Sequence, residues 1–397
     1  MRSGDIHRAS LALVAGAAIV QASQQAQRPV FQGRSDVVLV DVVVTDRKNQ
    51  PIHGLTVEDF VVKEDGAIRP IVSVEAVEGG RRTGSAVGSA SVAKSRPEHV
   101  SVAVFVDDQR LSPAQTQGTQ AALRSTITSL SAREATFMLV APGSKISVAT
   151  ALPFGAGRMV AAAYQIRGQR RDDRSSFPIA DHEAIQIMEG DQRALARVVS
   201  RFAALNPDLS AGGATMYART RAAETADAAK RANSGAYGVA LLCLDWLEPR
   251  PGRRHLVIIS NGMARDPGDD RYKAVIERSL HLNVPVHFVD ARALKGSGQY
   301  QSMAYGANLG RDADEGTSAR IDESAGLDGL AADTGGVTIG GGNDLDDAMR
   351  RLLETMSSYY VLAYLPPAQG KAGFRRIEVT TSRPGLLIRA RRGYEAR

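Results

Sequence analysis

Residues 102–113 read VAVFVDDQRLSP, and this stretch decides the fold. An apolar run long enough for a buried strand ends in two carboxylates, Asp107 and Asp108. A short polar loop follows, and then Pro113, which suits the first turn of a helix because its missing N–H costs nothing there. A buried strand feeding a helix is the repeating unit of an α/β sheet. The carboxyl ends of such strands are where these proteins keep their sites. Two acids at that place allow three readings: metal ligands, an acid/base pair, or caps for the helix that follows.

The same pattern continues outward over residues 99–356. HVSVAVFVD, ATFMLVAP, KISVATAL, RRHLVIIS and VPVHFVD read as strands. Helices are expected at 113–130, 157–167, 191–205, 269–283, 322–332 and 344–356, with a long one over 213–247 interrupted near Gly235 and Gly238. Alternating strands and helices give a mostly parallel sheet covered on both faces. The two flanks differ. VVLVDVVVT at 37–45 is β-branched and strand-like, and Asp65-Gly66 is a hairpin turn signal. At the other end SSYYVLAYLPP, FRRIEVTT and LLIRARRGY read as three more strands. Neither flank can bury a core alone. The economical expectation is one β-sandwich built from 35–78 and 357–397, with the α/β unit 99–356 inserted. The Gly/Ser/Ala-rich stretch 79–98 is expected to be a flexible linker. Tyr359, Tyr360 and Tyr364 are expected to alternate between a buried and a half-exposed face, with a recognition surface as the alternative.

Composition removes several function classes. The chain has 397 residues and a net charge of +6, with Arg clusters at 167–174, 250–254 and 389–392. None is interleaved with aromatic residues, which argues against nucleic acid as a partner. The one cysteine, Cys243, lies in the apolar run ALLCLDWL and reads as a buried structural thiol, so no intrachain disulfide or sulfur metal site follows. At the N-terminus, Arg2 and Arg8 precede the apolar run ASLALVAGAAIV, and Val20-Gln21-Ala22 suits cleavage. Residues 1–26 therefore read as a secretory signal peptide, with an uncleaved anchor as the alternative. An extracytoplasmic protein, periplasmic or secreted, with no transmembrane segment in its mature part is expected.

Several segments together resemble a known family: VVLVDVVVTDRKNQPIHGLTVEDFVVKEDG, the strand before VDDQRLSP, RRHLVIISNG, VPVHFVDARAL, LAADTGG, NDLDDAMRRLLETMSSYYVLAYLPP and FRRIEVTTSRPGLLIRARRGYEAR. They look like the von Willebrand factor A-related proteins common in acidobacteria, over roughly residues 35–397. The resemblance implies a doubly wound, Rossmann-like domain, export, and binding to a protein partner rather than catalysis.

The family often carries a metal-ion-dependent adhesion site made of D-x-S-x-S, a Thr from a later loop and a second Asp. A hard cation such as Mg²⁺ takes about six oxygens, some from water. On this chain the first Asp falls on Asp107, the serines on Gln109 and Leu111, the Thr on Ala214 with Thr215 one step along, and the last Asp on Asn261. One of five ligands survives, so no cofactor is expected. Mg²⁺ through an unorthodox set of Asp107, Asp108, Thr215 and Asp266 is the alternative. Otherwise Asp107 and Asp108 should cap the following helix, with Arg110 paired to one of them. Asp107, Gln109, Leu111, Ala214, Thr215 and Asn261 would then form a face for an unknown protein partner.

Other motifs carry less. His182-Glu183-Ala184-Ile185-Gln186 lacks the second His of a zinc-protease helix. DADEGTSARIDE at 312–323 faintly echoes a calcium loop but reads as a solvated acidic loop. GGVTIGGGND reads as turn, strand, turn and helix cap. A hydrolase built on Asp107 and His182 would need a cleft joining them.

Overall fold

The computed structural model describes residues 37–46, 50–79, 81–86, 99–170, 177–266, 268–293, 313–340, 344–367 and 373–396. The expected signal segment 1–26 and the linker residues 87–98 lie outside them. Described residues from 37 onward belong to one unit, mixed α/β with a largely parallel sheet.

That sheet has six strands: β6 (Val100–Val106), β7 (Ala135–Ala141), β8 (Ile146–Leu152), β9 (Arg253–Ser260), β10 (Val286–Asp290) and β11 (Thr338–Ile339). Their order is β11-β10-β9-β6-β7-β8, parallel except for β8 at one edge. The chain first builds outward from β6 through β7 and β8, then returns to lay β9 on the other side of β6. The strand order thus reverses between β6 and β9, the place where open α/β sheets leave a crevice. Alternate residues of β6 serve opposite faces, as the period of a strand requires. Val102, Val104 and Val106 pack with α1 (Thr116–Ser131), α2 (Ala156–Ala163) and α8 (Leu345–Ser357). Ala103 and Phe105 pack with α5 (Ala211–Leu247), α6 (Asp270–Leu282) and α7 (Ala313–Thr334).

Helix α5 is continuous through Gly235 and Gly238, contrary to the expected interruption. Gly238 lies where α5 crosses α6: a Cβ there would come 3.3 Å from the Arg271 guanidinium. At about 1.5 Å per residue its 37 residues span roughly 55 Å, against about 23 Å for the seven residues of β6. The helix must overhang the sheet. Its second half, from Ala236, packs on the strands. Its first half presents Ala214, Ala218, Ala222, Ala226 and Ala229 to α3 (Asp181–Met188) and α4 (Gln192–Leu205). The small stripe lets these helices approach closely. Helix α3 was missing from the sequence expectation, as was the helical state of 313–323, which rules out a calcium-binding loop there.

The two flanks pair with each other. β1 (Val38–Thr45) runs antiparallel to β12 (Tyr359–Tyr364), Val38 opposite Tyr364. One sheet is β14-β1-β12-β4-β5, with β4 (Ile71–Glu78), β5 (Arg81–Ala86) and β14 (Leu387–Ala390). The other is β15-β13-β2-β3, with β2 (Phe60–Glu64), β3 (Ala67–Arg69), β13 (Gly373–Thr381) and β15 (Gly393–Ala396). Asp65 and Gly66 both take positive φ in the β2–β3 turn, as a two-residue hairpin of this hand demands. Arg81–Ala86 corrects the linker expectation: RRTGSA lacks β-branched residues except Thr83, yet pairs fully with β4. All six residues of β12 are buried, so the expected half-exposed tyrosine face does not exist. The strand is central in its sheet. Tyr360 and Tyr364 face the sandwich core, and Arg253 of the α/β unit stacks on Tyr359 from the other side. The Tyr360 hydroxyl donates to the Ile52 carbonyl, and that of Tyr364 to Glu64, which also accepts from Arg375 and Tyr394.

Candidate functional site

The first acid of VDD continues the ladder one residue past β6: the Asp107 N–H donates to the Ile259 carbonyl at 2.9 Å. Its own carbonyl accepts from the N–H groups of Arg110 and Leu111 at 3.0 and 3.3 Å. This turn swings Arg110 back over Asp107. Arg110 Nη1 then donates to Asp107 Oδ2 at 2.9 Å, and Nη2 to Asn233 Oδ1 at 2.6 Å. Ser260 Oγ donates to the same Asp107 oxygen at 2.9 Å. Asn233 is the residue of α5 between its overhanging half and its sheet-packed half, and its amide also donates to the Ala264 carbonyl. The guanidinium therefore ties β6, β9 and α5 together through one buried carboxylate.

Asn261, the other strand-end residue, is held separately. Its Nδ2 donates to the Arg110 carbonyl at 2.7 Å and to Gln115 Oε1 at 2.9 Å, while Gln115 Nε2 donates back to Asn261 Oδ1 and to the Ala291 carbonyl. The Ser112 N–H donates to Gln115 Oε1, so Ser112 and Gln115 form the box that opens the helical segment leading into α1. This overturns the expectation that Asp107 and Asp108 cap that helix. The Asp108 carboxylate instead accepts the N–H groups of Gly143 and Ser144 in the β7–β8 turn, at 2.9 and 2.6 Å. Glycine at 143 leaves room for this approach: a Cβ there would lie 2.9 Å from Asp108 Oδ1 and 2.7 Å from the Gln169 amide, and those side chains would have to shift. The expected Arg110 pairing is present, with Asp107 as its partner.

The six residues assigned to a partner face do not form one. Asp107 and Asn261 lie together but are 3% and 5% exposed. Leu111 is fully buried in the core under α1, and Ala214 in the core of the helical layer. Thr215 lies eighteen positions before Asn233 on the same helix, which is about 27 Å along its axis. Its hydroxyl donates to the Ala211 carbonyl. Gln109 is exposed. The pattern puts Ala214 and Thr215 on a loop beside the strand ends, but they lie at the start of a continuous helix.

A divalent cation does not fit here. Asp107 Oδ2 already takes two donors, one of them a guanidinium, and an added cation would meet that positive charge at short range. The alternative set fails as well. The Asp108 carboxylate is spent on backbone N–H groups, Thr215 is distant, and Asp266 accepts the Gly268 N–H in an exposed turn. Among the described residues no group of three or more His, Cys, Asp or Glu is placed to hold a metal.

The hydrolase alternative meets a similar obstacle. His182 is buried on α3, in the helical layer, and its neighbour Glu183 forms a two-pronged pair with Arg201 of α4 at 2.6 and 3.0 Å. Burial alone would raise the Glu183 carboxyl, but the Arg201 hydrogen bonds and charge outweigh it and hold the group below its ordinary range. The pair is a bolt between two helices. Gln186 donates to Asp322 rather than holding a ligand position. Cys243 is fully buried and its thiol is pushed up to about 12 by burial, which removes the thiolate a nucleophile needs.

The residues that sequence reasoning missed are Gln115, Asn233 and Ser260. Gln115 was legible in the S-x-x-Q spacing from Ser112. Asn233 was legible as an amide in phase with the apolar positions Ala226, Ala229, Ala236 and Ala240 of α5. No helix among the described residues is long and apolar enough to cross a membrane.

No protein-family model matches the chain, and no curated protein does. Among solved structures, the TFIIH p34 N-terminal domain is similar at 8% identity, covering 64% of this chain and 96% of that one, with a TM-score of 0.27. A likeness at that level assigns neither fold nor function to this protein.

Proposed function

We propose that the chain is an exported, von Willebrand A-type interaction module that binds a protein partner without a metal and without catalysis. The observation that carries this reading is the Arg110–Asp107 pair at the strand-order reversal. Where an adhesion site of this type would present a metal to an acidic group of its partner, this chain supplies its own fixed cation and closes the position with Ser260 and Asn233. The sheet order and the helices on both faces support the family assignment. Partner contact falls on surface outside Asp107, Leu111, Ala214 and Asn261, since all four are buried. The apolar N-terminal run supports export.

The test is recovery of partners by the purified full chain in buffered EDTA and in millimolar Mg²⁺. The same partners in equal yield are expected in both. A partner held only in Mg²⁺, or turnover of an ester or peptide substrate abolished by Asp107→Asn, would contradict the proposal.

A further inference from the structure

We infer that the opposite end of the sheet carries a second site, which binds a small monocarboxylate with an apolar body. A cavity of about 200 Å³ lies between α1, α8 and the first residues of β6, β9 and β12. Val100, Leu130, Leu353 and Met356 supply apolar walls, and the charged residues on the lining are Arg133, Arg253, Arg350 and Glu354.

The three cations are not equivalent. Arg350 is bound by Asp347 and by Glu354, and Asp347 also pairs with Arg351, so this group of four is neutral. Arg253 is different. Its side chain is only 9% exposed and lies over the Tyr359 ring, with Nη1 3.3 Å from the Asp41 carboxylate. Its Nε is buried without a hydrogen-bond acceptor, and Nη1 meets Asp41 as an ion pair outside hydrogen-bond geometry. A guanidinium carries five N–H donors, and burying them without acceptors is costly. Arg133, on the rim, makes no ion pair among the described residues. Arg253 shares one negative charge with Asp41, so the cavity is left with about one uncompensated positive charge, on Arg133.

A carboxylate meets that charge, because its two oxygens match the planar fork of the Arg133 guanidinium. The Ser129 hydroxyl, also on the lining, adds a donor. The apolar walls favour an organic acid over inorganic phosphate. The site joins the α/β unit to the first residue of β12, so an occupant would also brace the contact between the two parts of the fold.

The test is titration calorimetry of the full chain with hexanoate, with 1-hexanol and inorganic phosphate as comparisons, alongside the unfolding midpoint in saturating hexanoate. Saturable one-to-one binding of hexanoate and a raised Tm are expected. Arg133→Ala, which changes an exposed and unpaired side chain, should weaken binding about tenfold, as loss of one charge-assisted contact does. Ser129→Trp, also at an exposed position, should fill the mouth and abolish binding. The inference is overturned by no heat and no Tm shift at millimolar hexanoate, by equal binding of 1-hexanol, by tighter binding of phosphate, or by unchanged affinity in Arg133→Ala. None of these outcomes bears on the metal independence proposed above.

Discussion

Arg110 Nη1 lies 2.9 Å from Asp107 Oδ2, three residues away on the same loop, so the cation that Asp107 meets comes from its own chain. The pair is buried, and the same guanidinium reaches Asn233 on α5. Arg110→Ala should therefore cost about 3–5 kcal/mol in chemical denaturation, because it strands a buried carboxylate. Arg110→Lys should recover only part of this loss, since an ammonium cannot fork between Asp107 and Asn233. The double variant Asp107→Asn/Arg110→Met should cost less than the sum of the single changes, which is the signature of a coupled pair.

The helical layer rests on the alanine stripe of α5. Ala222 is fully buried between α5 and its neighbours α3 and α4. Ala222→Leu should destabilise by about 1–3 kcal/mol through overpacking. Limited proteolysis should then cut first between 177 and 210, while the parallel sheet stays protected.

The buried His255–His287 pair makes stability depend on pH. The Val337 N–H donates to His287 Nδ1, so His287 Nε2 carries the proton and donates to His255 Nδ1 at 3.0 Å. Burial first, and then the Arg253 charge, lower both rings: His287 to about 3, and His255 well below its ordinary value. Below about pH 6.5 the unfolded chain takes up protons that the folded chain does not. Stability is thus full above that pH and falls as pH drops toward 3, by up to about 1.4 kcal/mol per unit for each ring. Urea midpoints between pH 7 and 5 should show this slope, and His255→Leu should flatten it by about one proton's worth.

Much of the architecture was legible because strand and helix periods are local signals. β6, β9 and β10 are apolar runs bounded by polar turns, and the two β flanks had nothing to pack on except each other. The site was less legible. Alignment to a metal-site pattern put Ala214 and Thr215 beside Asp107, but no local signal tells where along a 37-residue helix the sheet begins. The destination of Arg110 depended on Asn233, more than a hundred residues away, and that of Asp108 on the Gly143–Ser144 turn. Likewise RRTGSA became β5 because an unpaired edge of β4 was available, not because its residues favour a strand.

The most direct measurement is the Tm of the purified protein with and without millimolar Mg²⁺, Mn²⁺ or Ca²⁺. An ion that binds the native state raises stability by mass action. With Asp107 already satisfied by Arg110 and Ser260, no shift is expected for any of the three. A rise of several degrees, reversed by EDTA and absent in Asp107→Ala, would show that a metal reaches this carboxylate and would contradict the account.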